Sequence, residues 1–68
     1  MASLAEKCST NLKAQRLKKK LSQEALASKA GISVSYVSML ERAERTPPLD
    51  TLESLASALG VSAVSLLQ

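Results

Sequence analysis

The chain has 68 residues, 46% of them apolar, with Tyr36 its sole aromatic and only two glycines and two prolines. That is one domain near the lower size limit for independent folding, too apolar for disorder, so a small all-helical core is expected, with self-association as a further source of stability. Nine Lys and Arg against six Asp and Glu give a formal charge of +3, which suits a negatively charged partner, nucleic acid first. The absence of histidine and the lone Cys8 leave no intramolecular disulfide, no usual metal set and no nucleophile–base pair, so neither an enzyme nor a cofactor is expected. No apolar run approaches the roughly 18 residues of a membrane-spanning helix. Met1 to Thr10 lacks the charged start and apolar core of a signal peptide, so a cytoplasmic location is expected.

Ser3 with Glu6 fits a capping box, so a first helix is predicted over about 4 to 19, although Ser9 or Thr10 could cap it instead. Cys8, Leu12 and Arg16 form one stripe on it. The stripe sets a guanidinium beside the core, where it needs a carboxylate partner. Cys8 reads as a small buried residue, with redox sensing as the other reading. Lys18 to Lys20 are either a solvated helix end or an approach to a phosphate strand.

Ser22 is a good N-cap for a second helix over 23 to 30 that carries Leu26, Ala27 and Ala30 inward, and Gly31 supplies the left-handed stop after which Ile32 packs back. Ser33 caps a third helix over 34 to 42. Val37, Leu40 and Glu41 share one of its faces; Ser35, Ser38, Met39 and Arg42 share the other. The segment "RTPP" breaks the chain. Leu49, Leu52, Leu55, Ala56 and Leu59 then recur at helical spacing, a fourth helix over 49 to 59 that Gly60 ends. Val61 follows as a packing residue, and Ser62, Val64 and Leu67 predict a short fifth helix over 63 to 67. Val61, Val64, Leu66 and Leu67 either complete the core or form a homodimer surface.

Two short helices joined by a tight turn containing glycine make a helix-turn-helix. Small Ala27 allows the second helix to cross close to the third, and Gly31 accepts the positive φ of the turn. Leu26, Ile32, Val37 and Leu40 would then hold the third helix rigidly, its outer face free to enter a major groove.

The segment "LSQEALASKAGISVSYVSMLERAERTPPLDTLESLASALGVS" resembles the lambda-repressor-like, or XRE-type, family of bacterial and phage transcription regulators, over about Leu12 to Leu67. The spacing of Gln23, Leu26, Ala27, Gly31, Val37, Leu40 and Glu41 carries the resemblance as a set. It implies a five-helix, all-α DNA-binding fold over residues 1 to 68, acting on double-stranded operator DNA, usually as a homodimer on a palindromic site. Carried over by position, Gln23 corresponds to a phosphate-anchoring glutamine at the start of the second helix, and Ser33, Tyr36, Arg42 and Arg45 to further backbone contacts. Val34, Ser35, Ser38 and Met39 fall where the family places base-contacting side chains. The resemblance also pairs Arg16 with Glu41, an architectural ion pair.

Three departures stand out: Lys20 and Ala43 occupy positions where the family often has glycine, and Pro48 one where it often has serine. In addition, Val34, Ser35 and Met39 offer no bidentate base contact, so thymine methyls, hydroxyl bonds and DNA shape would carry the specificity. The rival reading is an antitoxin-like interaction module whose helix-turn-helix faces a protein partner. Phage repressors, restriction-modification controllers and antitoxin-type regulators share this type of domain, and the sequence does not choose among them or between repression and activation.

Overall fold

A computed structural model describes residues 3–68; Met1 and Ala2, the first two positions of the stretch compared with a signal peptide, lie outside the described residues. Among the described residues the chain forms four α-helices, α1 (Leu4–Lys18), α2 (Gln23–Ala30), α3 (Val34–Glu41) and α4 (Leu49–Leu59), and one 3-10 turn (Val64–Leu66). None of the helices is long and apolar enough to cross a membrane.

Local chemistry accounts for most boundaries. Ser3 and Glu6 close a reciprocal capping box, each side chain bonded to the other's backbone N–H at 3.1 Å. Ser22 and Ser33 accept from the N–H groups of Ala25 and Tyr36, both at 3.0 Å, starting α2 and α3. At α4, Pro48 stands in the N-cap position and provides no side-chain bond.

All four helices stop in the same way. A residue one or two places past the helix turns left-handed and its N–H, with that of the next residue, bonds back to two of the last carbonyls. In α2 Gly31 and Ile32 bond to Ser28 and Ala27, and in α4 Gly60 and Val61 bond to Ser57 and Ala56. At the other two stops the left-handed residue is not glycine: Lys20 has φ 58° and Ala43 has φ 59°. Lys20 and Leu21 still bond to Leu17 and Arg16, and Ala43 and Glu44 to Leu40 and Met39. Both turns that depart from the family pattern therefore form, with the left-handed backbone imposed on a residue carrying a Cβ.

The core is built from Cys8 and Leu12 of α1, Leu26 and Ala27 of α2, Val37 and Leu40 of α3, Leu52, Leu55, Ala56 and Leu59 of α4, and Leu66. Helix α2 packs on α3 and α4, while α1 packs on α3 and on the C-terminal turn. Ala30 and Ile32 are only partly buried against this core.

One expectation is corrected. The fifth helix is a 3-10 turn: the N–H groups of Ser65, Leu66 and Leu67 each bond three residues back. Burial of Leu66 and the bond from Asn11 Nδ2 to its carbonyl, 3.1 Å, hold that segment against α1, and the β-branched Val61 and Val64 favour helix weakly. Leu49 begins α4 but is 77% exposed, and the buried stripe starts at Leu52.

Candidate nucleic-acid interface

Helix α3 is held from behind and bare in front. Val37 and Leu40 are buried completely or nearly so, facing Leu26 and Ala27 of α2, while the opposite side carries exposed Val34, Ser35 and Arg42, with Ser38 and Met39 half-buried between them. The three-residue connection Gly31 to Ser33 is pinned at both ends, by the Gly31 stop and the Ser33 cap. The orientation of α3 is thereby set by the core and not by a loose loop.

Beneath it lies a buried ionic cluster. Arg16 Nε donates to Glu41 Oε2 at 2.6 Å and Nη2 donates to Glu41 Oε1 at 3.1 Å; Arg16 Nη1 donates to the carbonyl of Leu21 at 2.8 Å. Gln23 Nε2 donates to Glu41 Oε1 at 3.1 Å. Three helices thus meet on one carboxylate, whose side chain is only 4% exposed. Among the described residues no buried side-chain N or O is left without a partner. The link from Gln23 was not anticipated: the sequence presented it only as a surface anchor. Its amide keeps one N–H for an outside acceptor.

Ser33 is likewise both structural and available. Its Oγ accepts from the N–H of Tyr36, and its own hydroxyl hydrogen remains to donate. Tyr36 is half-buried against the core, and Arg45 is exposed just beyond α3.

At the far end of α3, Arg42 is engaged on the surface. Its Nε and Nη2 donate to Glu44 Oε2 and Oε1 at 2.7 and 3.1 Å, and Nη1 donates to Ser38 Oγ. Hydrogen bonding to Arg42 holds the Glu44 carboxyl below its usual range, and Glu44 in turn raises the Arg42 guanidinium above its own. Glu44 is a residue of this candidate interface that sequence reasoning missed. The only signal is the short spacing Arg42-x-Glu44, and it becomes a contact because Ala43 turns left-handed between them.

Of the four apolar residues considered at the C-terminal end, Leu66 is fully buried in the core and cannot belong to a dimer surface. Val64 is 62% exposed, with Val61 and Leu67 partly buried beside the core.

Comparison with known proteins gives this geometry a family. The model of the helix-turn-helix family matches residues 12–66. An uncharacterised HTH-type transcriptional regulator of Sinorhizobium fredii is 46% identical over 57 residues, covering 84% of this chain and 74% of that protein. The immunity repressor protein of Bacillus phage phi105 is 48% identical over 50 residues, 74% of this chain, which spans only 35% of the repressor's length. The crystal structure of the restriction-modification controller protein C.AhdI from Aeromonas hydrophila superposes with a TM-score of 0.88 at 37% identity, over 91% of this chain and 94% of that one. These relatives are named as regulators and not as enzymes. On the matched residues, the shared fold and the pinned, outward-facing α3, the chain belongs to the XRE-type helix-turn-helix family of transcription regulators.

Proposed function

We propose that the chain is a sequence-specific DNA-binding regulator that sets α3 in the major groove of a palindromic operator, two chains to a site. One observation carries this reading: α3 is fixed from behind by buried residues and by the Arg16–Glu41–Gln23 cluster, and offers an unobstructed outer face. On that face Val34 and Met39 supply apolar contact for thymine methyls, and Ser35 and Ser38 supply hydroxyls for base edges. Around it, Gln23 with the N-terminal amides of α2, the hydroxyls of Ser33 and Tyr36, and the cation Arg45 would meet the phosphate backbone, with Arg42 at the end of α3 beside them. An immunity repressor and a restriction-modification controller among the similar proteins support a regulatory role.

The test is a fluorescence-anisotropy titration against random duplex DNA at several salt concentrations, repeated with the double variant Arg42→Ala, Arg45→Ala. Binding that weakens steeply with salt, and further in the variant, is expected because phosphate neutralisation releases counterions. Absence of binding at low salt would overturn the reading in favour of a protein partner.

A further inference from the structure

We propose that Arg42 reads a guanine, with its guanidinium buttressed by Glu44 and Ser38, and that Glu44 is therefore a positioning residue that sets sequence specificity. This rests on the reading that α3 enters the major groove. It departs from the phosphate-contact role the family resemblance suggests for Arg42.

The first argument is geometric. A guanidinium has five N–H donors, of which Arg42 spends three: Nε and one hydrogen of Nη2 on Glu44, and one hydrogen of Nη1 on Ser38. One hydrogen is left on each terminal nitrogen. A pair of donors of this kind matches O6 and N7 of guanine, the commonest specific contact in the major groove. It is also the bidentate reader that Val34, Ser35, Ser38 and Met39 do not provide.

The second argument is placement. Arg42 is the C-cap of α3, and its bond to Ser38, four residues earlier, ties the guanidinium to the helix face that also carries Ser35. Glu44 is not on a wandering loop. Its N–H bonds to the carbonyl of Met39 at 2.9 Å, and the left-handed Ala43 turns it back toward Arg42. The same turn that stops α3 places the buttress.

The third argument is electrostatic. A phosphate anchor works through net positive charge, and a carboxylate doubly bonded to the guanidinium cancels that charge. A base edge is neutral and is recognised by donor direction, so the same carboxylate fixes the aim of Arg42 at little loss of attraction. Because Arg42 and Glu44 are both more than half exposed, their pairing contributes little to folding. Variants at either position should therefore fold.

The experiment is binding-site selection from a random duplex pool, followed by titration of the selected site and its single-base changes, for the parent, Arg42→Lys, Glu44→Gln and Arg45→Ala. The expected result is a guanine in each half-site whose preference over other bases falls about 5- to 150-fold in Arg42→Lys, the discrimination a bidentate pair supplies. Charge is retained there, so the salt slope stays the same. Glu44→Gln should lower the same preference at the same position, and Arg45→Ala should weaken all sequences alike. Uniform weakening in Arg42→Lys, or uniformly tighter binding in Glu44→Gln with unchanged base preferences, would overturn the proposal and return Arg42 to the backbone. Failure of the parent to bind any duplex would instead overturn the DNA-binding reading itself, and this inference with it.

Discussion

Arg16 of α1 and Glu41 of α3 meet fork to fork, Nε on Oε2 at 2.6 Å and Nη2 on Oε1 at 3.1 Å, in a site where the two side chains are 10% and 4% exposed. Because Gln23 of α2 donates to the same carboxylate, this one contact fixes the mutual placement of the three helices that surround the interface. Glu41→Ala leaves a buried guanidinium with only the Leu21 carbonyl. We expect a loss of about 3–5 kcal/mol, the cost of stranding one partner of a buried pair. Chemical denaturation measures it, and unchanged stability would show that the cluster is dispensable.

Ala43 and Lys20 hold a left-handed backbone that costs a residue with a Cβ about 1–2 kcal/mol. Ala43→Gly removes this strain but frees the unfolded chain, which returns about 0.4–1 kcal/mol. A net gain of about 0.5 kcal/mol is expected, seen as a small rise in Tm. Gly31→Ala runs the opposite way. Its added Cβ meets no atom within 4 Å, so the strain comes from φ +73° alone, and after the gain from a stiffer unfolded chain a net loss of about 0.5 kcal/mol is expected. A lower Tm for Ala43→Gly would contradict the strain argument.

How much of this was legible in the sequence follows from the range of the interactions. Caps and stops depend on neighbours in the chain, so Ser3 with Glu6, Ser22, Gly31, Ser33 and Gly60 marked the boundaries of α1 to α4 within a residue or two. The stripe of Cys8, Leu12 and Arg16 likewise follows from helical spacing. Leu49 and Leu66 did not. Each fits an apolar period, and only tertiary packing leaves Leu49 in water and draws Leu66 into the core as a 3-10 turn. In the candidate site, the exposed row of α3 was legible, whereas the Gln23–Glu41 and Arg42–Glu44 bonds depend on helix packing and on an unusual φ at Ala43.

Cys8 is 3% exposed, and burial pushes its thiol pKa up. The folded chain should therefore resist alkylation that the urea-unfolded chain undergoes readily. The same shift fixes a pH trend. An acid whose folded pKa is raised ionises first in the unfolded chain, so its contribution to stability is intact below the ordinary thiol pKa of about 8.5 and declines as pH rises beyond it. Cys8→Ala should flatten that decline relative to the parent, measured by denaturation between neutral and alkaline pH. Equal slopes in the two proteins, or rapid native alkylation, would contradict a buried, inert thiol.

Val64 is 62% exposed at the end of the chain, and Leu66, two residues on, is fully buried. An apolar side chain that the monomer leaves in water, next to half-buried Val61 and Leu67, is the residue a two-fold contact would cover. Such a dimer would carry two α3 helices to half-sites about 34–36 Å apart on one face of the DNA. Val64→Asp should keep the fold and its Tm, because Val64 is exposed and lies outside the core, yet sediment as a monomer and lose cooperative binding to a palindromic duplex. Leu66→Asp should instead unfold the chain. A parent protein that sediments as a monomer and saturates a palindrome at one chain per site would rule this surface out.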